Sequence, residues 1–389
     1  MKQWFRTVLA GALLAGSLAV SAAAADYTSC ADHLKDLGLF QGTAQGYELD
    51  RAPTRGEAAA MLVRLLGEEQ NALALDYSAP FTDLQNWEKP YVQYLYDMGA
   101  TTGVSETTFA PEEPCTAQMY AAFVLRALGY TEADGDFTYA GVDDFAQQIG
   151  LYDAAVIDTE DFLRDDVVAA SYTALSLMPK DSEQTLLDQL VANGAVDAQA
   201  AEPYQALFDL YAQYRTATAD MEAFEQFSVR GGTEAVLSGK GTSSLTVRTE
   251  DYITVNRVDG TATATGKITM EAPSVDAYTQ PYSMDAAEET GSMRAALLYG
   301  YDVVPLACVD TVKRSGSDWT FSFAELPAQY KGCFWALSQS GAALESAEDI
   351  VLVQTVQSGR IAFQTLRLKL MQGDAEFQVT LTGELKEAR

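Results

Sequence analysis

The sequence predicts an α+β chain in two parts: an N-terminal all-α bundle and a C-terminal antiparallel β-sheet domain, joined by a helical connector. Two observations carry this. A helix–loop–helix unit recurs three times in the first 180 residues, and self-similarity of that kind decides an architecture before local propensity does. From about Phe227 onward, alternation of apolar and polar residues replaces the helical period, the pattern of strands with one buried face.

The clearest copy of the unit spans residues 81–129, opening FTDLQNW and closing VLRALG, with weaker copies over residues 30–67 and 142–177. In the second half of the first copy, Ala58, Met61, Leu62, Leu65 and Leu66 fall on one helical face. The aligned positions are Tyr120, Phe123, Val124, Ala127 and Leu128 in the second copy, and Val167, Ala170, Ser171, Ala174 and Leu175 in the third. A shorter stripe fills each first half: Cys30, His33, Leu34 and Leu37, then Tyr91, Tyr94, Leu95 and Met98, then Val142, Phe145, Ala146 and Ile149. Gly38, Gly99 and Gly150 follow these stripes, where a helix end turns left-handed. Thr54 stands before the second helix with Glu57 three residues on, the spacing of a capping box.

The unit resembles the S-layer homology (SLH) family of bacterial cell-surface modules. The resemblance rests on Phe81 and Asp83 (F-x-D), Trp87, Gly99 and Gly103 (G-x-x-x-G), Phe109 and Pro111 (F-x-P), and Thr54, Arg55 and Glu57 (TRxE), with Phe162 to Asp166 (FLRDD) similar to a terminal variant. It covers residues 28–180 and divides the chain into repeats at 26–70, 78–132 and 138–180, a connector at 181–226 and a β-rich domain at 227–389. The resemblance implies a pseudo-threefold helical bundle whose inter-repeat grooves bind an anionic, pyruvylated secondary cell-wall polysaccharide. A carboxylate on a sugar calls for an Arg near a helix N-terminus, where guanidinium and backbone N–H both face the anion. Carried over, the polymer-binding set is Arg55, Arg164, Trp87, Asp83, Thr54 and Gly103. The second copy departs from the pattern: its TRxE positions hold Thr116, Ala117, Gln118 and Met119, without the Arg.

Composition bounds what surrounds this module. Lys2 and Arg6, an apolar run from Thr7 to Val20 and the Ala triplet before Asp26 read as a secretory signal peptide cleaved after Ala25. No later stretch reaches the ~18 apolar residues of a membrane span. The expected location is therefore extracellular, at the cell wall. The net charge of −30 argues against nucleic acid, which is bound by neutralising phosphates with Lys and Arg, and repels an anionic polymer at long range, so that binding rests on local arginines.

Four cysteines in an exported chain permit disulfides. Cys308 and Cys333 are placed to bridge neighbouring strands, whereas Cys30 and Cys115 are as readily buried thiols as bridge partners. His33, the single histidine, lies on an apolar stripe and reads as a core residue. That nearly removes His-based triads and His-rich zinc sites. No GxSxG, P-loop or HExxH pattern occurs; no catalytic residue, metal ligand or cofactor is assigned.

Residues 183–226 read as helical, with Leu207, Leu210, Tyr211 and Tyr214 on one face. Beyond them 351–356, 361–370 and 377–385 form an antiparallel meander, with further strands at Ser244–Thr249, Tyr252–Val258, Thr261–Met270 and Trp319–Phe323. The one-sided pattern is similar to the curved half-barrel sheets of bacterial lipid and lipoprotein carriers. Met284, Met293, Leu297, Leu298 and Tyr299 are read as core, or a helix packed on the sheet, in preference to a pocket lining. Asp285, Glu288 and Glu289 are read as a solvated face in preference to a calcium site. The expectation is a surface protein displaying its β domain from a wall anchor; the alternative is an SLH-tethered carrier of an apolar ligand or a wall-acting hydrolase.

Overall fold

The computed structural model describes residues 27–238, 244–273, 275–289, 291–332, 346–372 and 375–388. The signal segment and Cys333 lie outside them. The described chain forms two compact units. One ends at Asp209 and takes in Pro305–Ala307; the other comprises Leu210–Val304 and the chain from Cys308 onward.

In the helical unit each copy contributes a short helix followed by a longer one. These are α1 (Thr28–Asp36) and α2 (Arg55–Leu65), α4 (Lys89–Asp97) and α5 (Ala117–Ala127), and α6 (Val142–Gln148) and α7 (Arg164–Ser176), with α3 (Glu69–Leu73) after the first pair. Gly38, Gly99 and Gly150 end the short helices at φ of +75°, +77° and +79°, as their place in the sequence predicts. The long helices are buried on nearly every side. In α7 alone Arg164 through Tyr172, Ala174 and Leu175 are all buried. A helix buried all round belongs at the centre of its unit, and the alanines at 58–60, 121–122 and 169–170 admit close approach. The Tyr120 hydroxyl of α5 donates to Ser171 Oγ of α7 at 2.7 Å, and Ser171 in turn donates to the Val167 carbonyl at 2.6 Å. His33 is half-buried and packs against the rings of Tyr172 and Tyr204, with centroids 5.2 and 5.1 Å away. Helices α8 (Leu186–Ala192), α9 (Ala198–Ala217) and α10 (Ala219–Ala223) follow.

The second unit is a nine-stranded sheet, antiparallel at every pairing and open rather than closed into a barrel. Its strands are β1 (Gln226–Ser238), β2 (Leu245–Asn256), β3 (Thr261–Ala272), β4 (Val275–Asp285), β5 (Thr311–Ser315), β6 (Asp318–Ser322), β7 (Ser346–Gln357), β8 (Arg360–Gln372) and β9 (Ala375–Ala388). The spatial order is β4-β3-β2-β1-β9-β8-β7-β6-β5. The meander of residues 351–385 is present as β7, β8 and β9. Helix α11 (Gly291–Tyr299) packs on β2 and β3, the reading preferred from sequence for Met293 to Tyr299; α12 (Ala328–Lys331) follows β6.

Two strands expected at 244–249 and 252–258 are one continuous β2. Its inward residues are Val247, Thr249, Asp251, Ile253 and Val255, so an acidic residue occupies a core position and interrupts the alternation. Strand β4 escapes sequence reading for a different reason. Pro281 interrupts it, which an edge strand tolerates because no neighbour needs the missing N–H.

One row of residues crosses the sheet in register: Trp319, Gln354, Gln364, Gly383, Gly231, Asp251, Gly266 and Tyr282. The loop after α11 uses this row. Gln364 Nε2 donates to the Gly300 carbonyl at 2.7 Å and Gln354 Nε2 to the Asp302 carbonyl at 3.1 Å. Tyr214 donates to Gln354 Oε1 at 2.5 Å. Asp251 ends a buried polar chain: Thr233 N–H donates to Thr249 Oγ1 at 2.9 Å, Thr249 donates to Asp251 at 2.9 Å, and Tyr282 donates to its other oxygen.

Candidate ligand-binding grooves between the repeats

The N-termini of α2, α5 and α7 repeat one geometry around the helical unit. The first three helical positions are Arg55, Gly56 and Glu57 in α2, Ala117, Gln118 and Met119 in α5, and Arg164, Asp165 and Asp166 in α7. The second position always meets the same place in another copy. A Cβ built on Gly56 would lie 2.9 Å from Glu88 Oε1, Gln118 Nε2 donates to the Tyr139 carbonyl at 3.0 Å, and Asp165 accepts from Tyr27 N–H at 2.7 Å. Copy one therefore faces copy two, copy two faces copy three, and copy three faces copy one.

Both arginines are buried, at 4% exposure for Arg55 and 3% for Arg164. Arg55 donates through Nε to the Phe109 carbonyl at 3.0 Å, with its guanidinium 4.8 Å from the Phe109 ring and 5.4 Å from the Phe123 ring. Arg164 donates through Nε to the Tyr47 carbonyl at 3.0 Å and lies beside Met61. The carbonyl acceptors Phe109 and Tyr47 stand at the same place in their copies, each followed by a residue in the left-handed region, Ala110 at φ +61° and Glu48 at φ +52°. Burial pulls the pKa of both arginines below the ordinary guanidinium value; at physiological pH both keep their charge.

The remaining sequence-derived residues separate by role. Thr54 caps α2: it accepts from Glu57 N–H at 3.2 Å while Glu57 accepts from Thr54 N–H at 3.0 Å. Asp83 spends its two oxygens on the amides of Phe109 (3.0 Å) and Ala110 (2.8 Å), fixing the strained turn whose carbonyl holds Arg55. Gly103, at φ +76°, leaves room for the Phe81 ring, which a Cβ there would strike at 2.3 Å. Trp87 is 45% exposed. Thus Arg55, Asp83 and Thr54 meet at one groove, between copies one and two, and Trp87 adjoins Glu88, whose carboxyl reaches Gly56 of that groove. Arg164 belongs to a separate groove, between copies three and one.

Glu88 escapes sequence reading. It looks like an ordinary surface acid beside Trp87, yet it is 1% exposed, accepts from Gln85 N–H at 2.7 Å through Oε2, and keeps Oε1 buried without a hydrogen-bond partner among the described residues. Burial pushes its pKa up, and Glu112 and Asp83 push the same way. Cys115 is a buried free thiol whose pKa burial raises to about 12.

At the third groove Ala117 replaces the arginine, and the buried Tyr152 donates to the Ala117 carbonyl at 2.7 Å.

Residues 80–116 match the family model of the S-layer homology domain. Over 104 residues the chain is 40% identical to an endoglucanase of Bacillus sp. (strain KSM-635), a match covering 26% of this chain and 11% of that protein. It is 31% identical over 109 residues to the middle cell wall protein of Brevibacillus brevis, covering 27% and 10%. It is 29% identical over 143 residues to a surface layer protein of Brevibacillus choshinensis, covering 33% and 13%. The chain thus spans about a tenth of the length of these relatives. Among solved structures, a LolA superfamily protein from Nitrosomonas europaea aligns with 45% of this chain and 94% of its own at 11% identity, with a TM-score of 0.16, too low to carry an argument. The chain carries an S-layer homology domain of the kind found in bacterial cell-surface proteins.

Proposed function

We propose that the helical unit anchors this protein non-covalently to the bacterial cell wall by binding an anionic, pyruvylated secondary wall polysaccharide in a groove between repeats, with the C-terminal sheet displayed at the cell surface. The observation that carries the reading is the Arg55 groove. A guanidinium is fixed through Nε at the first turn of α2, and the next residue, Gly56, meets the carboxyl of Glu88, whose chain neighbour Trp87 is one of the few strongly exposed aromatic residues of the unit. The pre-positioned charge and the helix N-terminus suit a sugar-borne carboxylate, and the indole suits the apolar face of the sugar. The relatives named for the cell wall and the surface layer support the location. The endoglucanase match covers 11% of that enzyme and gives no reason to assign endoglucanase activity here.

Retention on purified pyruvylated wall polymer tests the reading. Wild type should be retained, and Trp87→Ala and Arg55→Ala should be released, with circular dichroism confirming that each variant keeps its helices. Equal retention of a folded Trp87→Ala and wild type would sink it. Because the chain carries a charge of −30, retention should rise between very low and moderate salt as repulsion from the polymer is screened.

A further inference from the structure

The three grooves are built alike but charged differently, and the difference lies at the first and third positions of the long helices. Arg164 faces that position of α2, where Glu57 stands 3.6 Å from Arg164 Nη1. Glu57 is also gripped by Arg51, through two hydrogen bonds of 2.7 and 2.8 Å, and Arg51 reaches Glu48 at 3.3 Å. Against the upward push of burial, the bonds from Arg51 and Thr54 hold Glu57 low and charged. Arg164 is thus enclosed in a four-member ion cluster with two carboxylates.

Arg55 faces the equivalent turn of α5. There Phe123 takes the place of Met61, Met119 takes the place of Glu57, and Ala110 takes the place of Glu48. Among the described residues no carboxylate lies within ion-pair distance of Arg55, and Asp83 is committed to the Phe109 and Ala110 amides. At Gly56, in the N-terminal turn of α2 that carries Arg55, lies the buried, unpartnered Oε1 of Glu88. A buried acceptor without a donor is costly, and a ligand hydroxyl reaching it would relieve that cost. At the third groove Ala117 offers no charge.

We propose that the chain holds its wall glycan in a single groove, that of Arg55, Glu88 and Trp87, and that Met119 is the specificity-setting residue because it leaves Arg55 without a counterion. The inference rests on the anchoring reading above. The occupant is a sugar bearing one carboxylate and free hydroxyls: the carboxylate on Arg55, a hydroxyl on Glu88. Arg164, neutralised within the chain, serves to join copy three to copy one.

Titration calorimetry of the full-length protein with a soluble pyruvylated fragment of the wall polymer tests this. Wild type should bind one fragment per chain. Met119→Glu restores the acid found at Glu57 and completes a capping box with Thr116, which already accepts from the residue 119 amide at 3.3 Å, so the fold is kept. It should weaken binding at least ~10-fold, the scale of losing one charge-assisted contact. Glu88→Gln should weaken binding less than Met119→Glu. Two or three fragments per wild-type chain, or wild-type affinity in Met119→Glu, would overturn the single groove and leave the anchoring reading standing. No binding by wild type overturns the anchoring reading and this inference together.

Discussion

Gly383 lies directly beneath the ring of Tyr301: a Cβ built on Gly383 would stand 1.9 Å from Tyr301 Cε1. The glycine sits in the row that crosses the sheet, and its missing side chain is the space the tyrosine fills. Gly383→Ala should therefore force the ring or the strand aside. Overpacking of this kind costs about 1–3 kcal/mol, read as a lower denaturation midpoint with an unchanged slope in urea. Unchanged stability would mean that the loop after α11 does not rest on the sheet.

Asp83 holds two consecutive amides and, through them, the left-handed Ala110. Asp83→Ala should destabilise the helical unit by about 2 kcal/mol, the scale of leaving amides without their charged acceptor, and should weaken retention on wall polymer because the Phe109 carbonyl no longer fixes Arg55. Full retention in a folded Asp83→Ala protein would separate the turn from the binding groove.

Tyr120→Phe removes one buried hydrogen bond between α5 and α7 while Ser171 keeps its own donation to Val167. The expected loss is about 1 kcal/mol, small enough that folding survives and polymer binding is unaltered. A loss of several kcal/mol would mark Tyr120 as the organiser of the copy two–copy three contact.

Burial pushes Asp166 up to about 6, over the opposing pull of the Leu163 and Asp158 amides. The folded carboxyl then binds its proton more tightly than the unfolded one, whose pKa is about 3.9. The stabilisation is complete below about pH 4 and is lost as pH rises through about 6. Asp166→Asn should abolish this slope across that window, even though it forfeits one accepted amide. A wild type that gains stability over Asp166→Asn as pH climbs from 4 to 6 would show that the amides and the helix N-terminus outweigh burial.

The repeat was legible in the sequence because its information is local. Stripes such as Ala58, Met61, Leu62 and Leu65 declare a helical face, and Thr54 with Glu57 declares a cap. The meander of β7 to β9 was legible for the same reason. What escaped is non-local or masked. Arg55 reads as a ligand-facing residue at a helix start, and nothing local announces that Phe109 and Phe123 of another copy enclose it. Glu88 is buried because Gly56, in a different repeat, has no side chain. Asp251 disguises the continuity of β2 by placing an acid where the alternation demands an apolar residue. The adjacency of β1 and β9 has no local signal whatever.

That adjacency governs when the sheet can assemble. One of the two partners of β1 is β9, the last of the described strands to emerge, and bonds such as that between Thr382 and Gly232 join residues 150 apart. The seam at the middle of the sheet cannot close while β9 is still being synthesised, so the early strands wait as an incomplete layer. Long-range closure of this kind is slow. Until β9 arrives, β1 has only β2 beside it, and its other edge stays unpaired.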